Sequence, residues 1–347
     1  MLRNSMKKIL FSVTALFAVV SLVAAGCSDD NDNENVSSAD KPSIVVTTNI
    51  LGDVVSNMVG DSFNVEVIMP PGSDPHDFQA SAQQVEKMMS ADLLVVNGAN
   101  FEEGMLSVIE SAEADGVMVF EAISVVSQLE GSDDHGHDDH EGHDDHDDDK
   151  DHDDHEGHDD HDDHEGHDHG GIDPHFFTDP ARMAVVVEEL SEFLVANFPN
   201  VDQGFVSTAN DYAQELIDLD EEVNEILSEI PQEGKVLVTN HAVFAYFADS
   251  YGFEILGEII PSASTLSSAN AQQLASLADE LSSNSVKAIF ADASASDTLA
   301  RTLAAEVGGI EVITLFTESL GEPGSSGANY IEMVKFNAQA IASGLVG

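Results

Sequence analysis

Apolar and polar positions along this chain change period repeatedly, and the changes outline strands alternating with helices. Residues 43–48 are a β-branched run, and 49–59 have helical spacing that stops at Gly60. Residues 63–69 alternate as a strand does and run into a loop containing Pro70, Pro71, Gly72 and Pro75. A helix is expected over 82–89, a strand over 92–97, a helix over 101–114 and a strand over 116–120. After a long polar gap, Asp179 and Pro180 form an N-cap and N1 pair that opens a helix to about Asn197. Next comes a sustained stripe of Phe205, Ala209, Tyr212, Leu216, Leu219, Val223, Ile226 and Ile230, spaced alternately by four and three. A second alternation follows: strands over 235–239, 253–260, 286–291 and 310–316, and helices over 242–251, 271–281, 298–307 and 330–345. Strand-helix alternation on both sides of one long helix predicts parallel α/β sheets in two lobes. In such sheets ligands bind beyond the carboxyl ends of strands.

The polar gap is unusual. Residues 133–170 hold twelve of the chain's fifteen histidines, twenty acids and the single Lys150. The hexapeptide Asp-Asp-His-Glu-Gly-His begins at Asp138, Asp153 and Asp162. With no apolar residue between Gly131 and Ile172, the stretch has nothing to bury and is expected to be disordered. Its imidazoles and carboxylates are ligands for divalent metals. The candidate weak sites are His135, His137, His140, His143, His146, His152, His155, His158, His161, His164, His167 and His169.

At the other extreme of polarity, Arg3, Lys7 and Lys8 precede an apolar run over 9–23, and Gly26-Cys27 follows small residues. That order describes a secretory signal. An uncleaved anchor would need a longer run, since a span takes about 20 residues. The small residues ending in Gly-Cys resemble the lipobox of bacterial lipoproteins, which implies that Cys27 is lipidated and begins the mature chain. Cys27 is the single cysteine, so neither an intramolecular disulfide nor a cysteine zinc site is available.

Composition narrows the partners. Of 347 residues, 42% are hydrophobic, enough for packed cores and about two domains. Formal net charge is −55, and the histidine-rich stretch accounts for −19 of it. Nucleic acid is excluded as a partner, because phosphate neutralisation needs Lys and Arg. Cationic ligands are favoured.

Outside the repeat only His76, His175 and His241 remain, and each falls in a loop or at the carboxyl end of a strand. His76 and His175 share the tripeptide Asp-Pro-His, in which proline restricts the backbone just before the imidazole. Three imidazoles converging with a carboxylate would suit Zn2+ in a tetrahedral shell, although spacing alone does not establish that they converge.

The motifs that carry a resemblance are Pro75-His76-Asp77-Phe78, the stretch from Asp173 to Pro180, the stretch from Thr239 to Phe247, and Leu315-Phe316-Thr317-Glu318-Ser319-Leu320 with Tyr330 and Asn337 downstream. Together they resemble the metal-binding solute-binding lipoproteins of zinc and manganese ABC importers, in the zinc branch, over nearly all of the chain from Ser43. The resemblance implies two α/β lobes joined by a long rigid helix, with the metal in the cleft between them. It implies that His76 and His175 come from the first lobe and His241 from the second. The manganese branch carries a carboxylate where this chain has His241, and a third imidazole suits zinc better. Manganese-type relatives have Asp at Glu318, so Glu318 is the expected fourth ligand, with Asp292 or water as competitors. The family often has Trp where this chain has Phe177. The zinc branch also carries a His-rich acidic insertion between its first two ligand motifs, where it would hold exchangeable zinc near the cleft.

The expected organisation is therefore a signal peptide (1–26), a tether (27–42), a first lobe (43–200, with the insertion at 131–171), a linking helix (201–231) and a second lobe (232–347). The expected function is extracytoplasmic capture of Zn2+ by a monomer anchored to the membrane by lipid, and its delivery to an ABC-importer permease. Alternatives are a zinc hydrolase, a stand-alone zinc buffer or adhesin, and manganese as cargo. Against the hydrolase, the chain lacks HExxH, GxSxG and a Gly-rich phosphate loop.

Overall fold

A computed structural model describes residues 41–131, 171–284 and 286–346 of the chain. The signal peptide, Cys27, nearly all of the tether and the twelve insertion histidines lie outside the described residues. In chain order the elements are β1 (Ser43–Val46), α1 (Asn49–Val59), β2 (Asn64–Val67), α2 (Ala82–Met89), β3 (Leu93–Val96), α3 (Leu106–Ala114) and β4 (Met118–Glu121). They continue with α4 (Pro180–Asn197), α5 (Phe205–Leu227), β5 (Val236–His241), α6 (Ala245–Tyr251), β6 (Glu254–Ile260), α7 (Ala271–Asn284), β7 (Ala288–Asp292), α8 (Thr298–Glu306), β8 (Glu311–Leu315) and α9 (Tyr330–Val346).

Among the described residues the strands form two four-stranded sheets, ordered β2-β1-β3-β4 and β6-β5-β7-β8. Every pairing between named strands is parallel. This is the expected two-lobe α/β architecture. The period of two explains how each sheet is covered. Ile44, Val46, Leu93 and Val95 face a central core, while Val45, Leu94 and Val96 face an outer layer with α2 and α3. In the second sheet Leu237, Ala288 and Phe290 face the central core, and Val238, Ile289 and Ala291 face α7 and α8. Burial on both faces is the condition under which parallel strands read as continuous apolar runs.

The central core runs through both lobes and α5 is its spine. The helix has 23 residues, which at ~1.5 Å each is roughly 35 Å of rod. Phe205, Ala209, Tyr212, Leu216, Leu219 and Val223 are buried along one stripe, as the sequence spacing predicts, but at the last turn Leu227 is buried and the expected Ile226 is only half-buried. The helix stops before Ile230, which remains buried as the turn that follows closes over it.

Several boundaries differ from the sequence reading, and three bear on function. The helix expected over 101–114 begins only at Leu106, which leaves Phe101 in a turn and Glu103 in a short 3-10 helix before it. The β5 ladder continues to His241 instead of ending before Asn240, because its partner β6 pairs with it up to Ile260. α6 begins at Ala245 rather than Ala242. Ala242 to Phe244 instead make a turn in which the Ala242 amide donates to Ser262 O (3.1 Å). His241 is thereby the last residue of the strand, at the carboxyl end where the sequence pattern put it. Among the described residues, no helix is long and apolar enough to cross a membrane.

Leu216 is fully buried at the middle of α5. Replacing it by Ala is expected to lower stability by about 2–5 kcal/mol through lost burial and the residual cavity. Urea unfolding of the metal-free protein measures it.

Candidate metal centre

Three loops and one strand end converge on one point. His76 lies beyond β2 in the loop that Pro70, Pro71 and Pro75 keep out of regular structure. His175 lies just before α4, whose start is fixed by Asp179 accepting from the amides of Ala181 and Arg182. His241 ends β5. Glu318 follows β8, and Asn337 of α9 steadies its approach by bonding both the amide (3.0 Å) and the carbonyl (2.7 Å) of Phe316.

One ligand atom from each of His76, His175, His241 and Glu318 can be chosen so that all four lie within 4.8 Å of one another. All four side chains are buried. Glu318 Oε1 is 2.7 Å from His241 Nε2 and 3.1 Å from His175 Nε2, and Glu318 Oε2 is 3.6 Å from His76 Nε2. His76 Nε2, His175 Nε2 and Glu318 Oε2 are buried with no hydrogen-bond partner among the described residues. Buried polar atoms are rarely left so. Several gathered at one point are what a site for a cation requires.

Two imidazoles are held from behind. His175 Nδ1 donates to Asp173 Oδ1 (2.7 Å), which also accepts the His175 amide (2.9 Å). His76 Nδ1 donates to Glu103 Oε1 (3.1 Å), and Asp74 Oδ1 accepts the His76 amide (3.0 Å). The repeated Asp-Pro-His tripeptide is thus a repeated turn in which Asp caps the histidine amide. In both, a carboxylate on Nδ1 fixes the tautomer and turns Nε2 toward the centre. Phe101 packs edge-on against both rings, at centroid distances of 5.1 Å from His76 and 5.5 Å from His175.

Asp292, the competitor for the fourth position, is engaged elsewhere. It accepts from the amides of Ser294 and Ala295 and from the hydroxyls of Ser294 and Thr317. It therefore supports the Glu318 loop through Thr317. Burial, joined by the nearby Glu318 charge, pushes its carboxyl up to about 6.

The residues that sequence reasoning missed are Glu103, Phe101 and Tyr246. Glu103 and Phe101 follow a turn in which Gly98, Ala99 and Asn100 all have positive φ (89°, 50° and 60°). The buried Glu102 carboxylate holds that turn by accepting from the Asn97 amide (2.7 Å), the Gly98 amide (3.3 Å) and the Thr47 hydroxyl (2.6 Å). A side chain at Gly98 would also strike Glu121. The visible signal was Gly-Ala-Asn in the gap between the expected strand over 92–97 and the expected helix over 101–114. Tyr246 donates to Asp173 O (2.8 Å) and accepts the Leu129 amide (3.0 Å). It thereby joins the His175 loop to α6. The same loop carries the root of the insertion, where Gly131 N donates to Gly171 O (2.8 Å) and Asp173 N to Leu129 O (2.9 Å).

Comparison with known proteins agrees with this geometry. Residues 44–344 match the family model described as ZnuA, zinc-uptake complex component A, periplasmic. A manganese ABC transporter substrate-binding lipoprotein, PsaA of Streptococcus anginosus, is 26% identical over 353 residues, covering 98% of this chain and 99% of that protein. The manganese-binding lipoprotein MntA of Halalkalibacterium halodurans is 26% identical over 341 residues, with the same coverage of 98% and 99%. Among solved structures, the periplasmic zinc binding protein TroA from Treponema pallidum superposes with a TM-score of 0.72 at 27% identity, over 88% of this chain and 99% of that one. A Mn-bound periplasmic metal binding protein from Candidatus Liberibacter asiaticus, at 18% identity, has a TM-score of 0.70 over 88% of this chain and 100% of that one, and so shares the fold.

The electrostatics give a pH dependence. Burial alone would pull the His175 imidazole down, but the charges of Glu318 and Asp173 and the Asp173 hydrogen bond outweigh it and push it up to about 10. Burial alone would raise Glu318, but His175 and His241 beside it hold its carboxyl well below the usual range. The raised His175 adds stability that is full below its ordinary value of 6.5 and is lost as pH rises toward about 10. The depressed Glu318 adds stability that is present above its ordinary value of 4.5 and is lost at lower pH. Metal-free protein is expected to weaken steadily from about pH 6.5 to 10, and His175→Gln should flatten that slope. Urea unfolding across the range in the presence of chelator measures both.

Proposed function

This chain belongs to the ZnuA family of metal ABC importer substrate-binding proteins, and we propose that its cargo is Zn2+, held by His76, His175, His241 and Glu318. The observation that carries the proposal is the convergence of three imidazole nitrogens and one carboxylate, all buried, on a single point. Imidazole with one carboxylate in a shell of four suits zinc, whereas manganese favours more oxygen ligands in an octahedral shell. PsaA and MntA are named for manganese and TroA for zinc. The donor set of this chain, with imidazole at position 241, favours zinc.

Function on this reading is capture and release without bond making. Zinc sheds its water on entering the cleft, and the four side chains replace the hydration shell. Asp173 and Glu103 hold two of the imidazoles with the correct nitrogen presented, so little ordering remains to be done on binding. With four protein ligands the shell is closed, whereas hydrolytic zinc sites keep a position open for water. The lobes then offer the ion to a membrane permease. The basic, apolar and small-residue series ending at Cys27 supports an extracytoplasmic chain held to the membrane by a lipid on that cysteine. Several relatives carry "lipoprotein" in their names.

The insertion serves this site as an auxiliary collector. Its root closes on Asp173, the residue that holds His175. Twelve imidazoles attached there would raise the local zinc concentration beside the cleft.

Two measurements test the reading. In competitive titrations, the purified protein is expected to prefer zinc over manganese, and His241→Glu to shift that preference toward manganese. A wild type that prefers manganese overturns the zinc assignment. In the second, protein lacking residues 132–170 is expected to retain one tight zinc and lose the weaker ones. Those weaker sites should empty between about pH 7 and 5.5 in the intact protein, because free imidazole titrates near 6.5 and only its neutral form binds. Equal stoichiometry with and without the segment rules out the collector.

A further inference from the structure

The two histidines of the first lobe are supported differently. Behind His175, Asp173 is 3% exposed, and the Tyr246 hydroxyl bonds both Asp173 O and the Leu129 amide. Arg182 lies over the Tyr246 ring, 4.9 Å from its centroid, and binds Asp249 (2.8 Å) and the Ser250 hydroxyl (3.0 Å) of α6. That side is a packed joint. Behind His76, Glu103 is 32% exposed. The groups that reach the His76 support from the other lobe are the hydroxyls of a surface loop between β6 and α7.

Thr265 Oγ1 donates to Asp74 Oδ2 (2.7 Å), and Asp74 Oδ1 holds the His76 amide. The Ser264 side chain faces Glu103, whose carboxyl it and His76 hold below the ordinary value against the effect of burial, and Glu103 holds His76 Nδ1. The loop braces itself through Ser262 Oγ, which takes the Ser264 amide (3.1 Å) and pairs with Ser267 Oγ (2.9 Å). At its start, Ser262 O accepts the amide of Ala242, next to His241. At its tip Leu266 is exposed. The loop thus spans from the neighbour of His241 to both carboxylates that position His76.

We infer that residues 262–267 are a hydroxyl latch across the cleft, in which Ser264 and Thr265 set the lifetime of the bound ion by holding the positioning residues Glu103 and Asp74 against His76. The inference rests on the zinc-cargo reading of the site. The hydrogen bonds of the latch go to the residues behind the ligands and to none of the four ligand side chains. With both contacts made, His76 is kept with Nε2 at the centre. With them broken, Glu103 and Asp74 lose their tie to the second lobe, and the His76 loop keeps only the bonds of its Gly72 amide to Ser319 Oγ (2.8 Å) and Leu320 O (3.1 Å) there. The latch therefore governs departure of the ion more than its arrival.

Stopped-flow zinc kinetics on the full mature chain test this, with release triggered by excess chelator. The variants are a Ser264→Ala, Thr265→Val double variant and Thr265→Ser, which keeps its hydroxyl. Release from the double variant is expected to be on the order of tenfold faster, at the low end of effects from losing a partner behind a metal ligand. Association should be unchanged, and the absorption spectrum of the Co2+-loaded protein should match wild type, because the ligands are the same. Thr265→Ser should release at the wild-type rate. A double variant with wild-type release overturns the latch, as does an acceleration that Thr265→Ser shares, since that would trace to packing rather than hydrogen bonding. If wild type captures no zinc at all, the cargo reading falls and the latch falls with it.

Discussion

A carboxylate buried among three imidazoles is costly as an isolated charge, and the surroundings of Glu318 are arranged around that cost. In the metal-free protein a proton on His175 supplies the positive charge that Glu318 needs, which is why that imidazole is held protonated to about pH 10. A divalent ion supplies the same charge more fully. The site therefore has two occupants that exclude one another, proton and metal, and capture of one requires release of the other. Around this pair the protein provides further carboxylates at graded distance. Asp173 and Glu103 hold imidazoles, and Asp292 holds the Glu318 loop through Thr317.

The fold serves that arrangement by bringing distant residues together without strain in the sheets. His76 and Glu318 are 242 positions apart in the sequence (318 − 76). Each leaves the carboxyl side of a parallel sheet, and the continuous core along α5 holds the two sheets in register with one another. Asn49 at the start of α1 adds a direct polar tie by bonding Ser319 Oγ (2.8 Å) and the Leu320 amide (2.7 Å). Among the described residues, Ala99 and Asn100 in the turn after β3 are the non-glycine residues that take positive φ, and they thereby set Phe101 and Glu103 beside the histidines.

Much of this was legible in the sequence, for identifiable reasons. The α5 stripe, the β-branched strands and the Asp179-Pro180 helix start are local patterns whose physics does not depend on distant partners. The Asp-Pro-His tripeptides announced prepared imidazoles through the proline before each histidine, and the structure adds that the aspartate caps the histidine amide two residues on. Three features were not legible. Glu103 lies 27 residues from His76, and nothing local separates it from its neighbour Glu102, which has an entirely different task. Asp292 could be weighed as a ligand because its place at a strand end is suggestive, and only the Ser294 and Thr317 bonds disclose its role. The extension of β5 to His241 depends on its pairing with β6, which is a tertiary fact that overrides local propensity.

The histidine-rich segment drew attention first because it holds most of the imidazoles, yet the site rests on the three it does not contain. The most direct test is a crystal structure of the protein loaded with one equivalent of zinc, with the ion located by anomalous scattering at the zinc edge. The account predicts a tetrahedral ion bound by Nε2 of His76, His175 and His241 at about 2.0–2.1 Å and by Glu318 at about 2.0–2.2 Å, with no water in the shell. An ion that keeps a water ligand, that recruits Asp292 in place of Glu318, or that sits on insertion histidines while the cleft stays empty would contradict it.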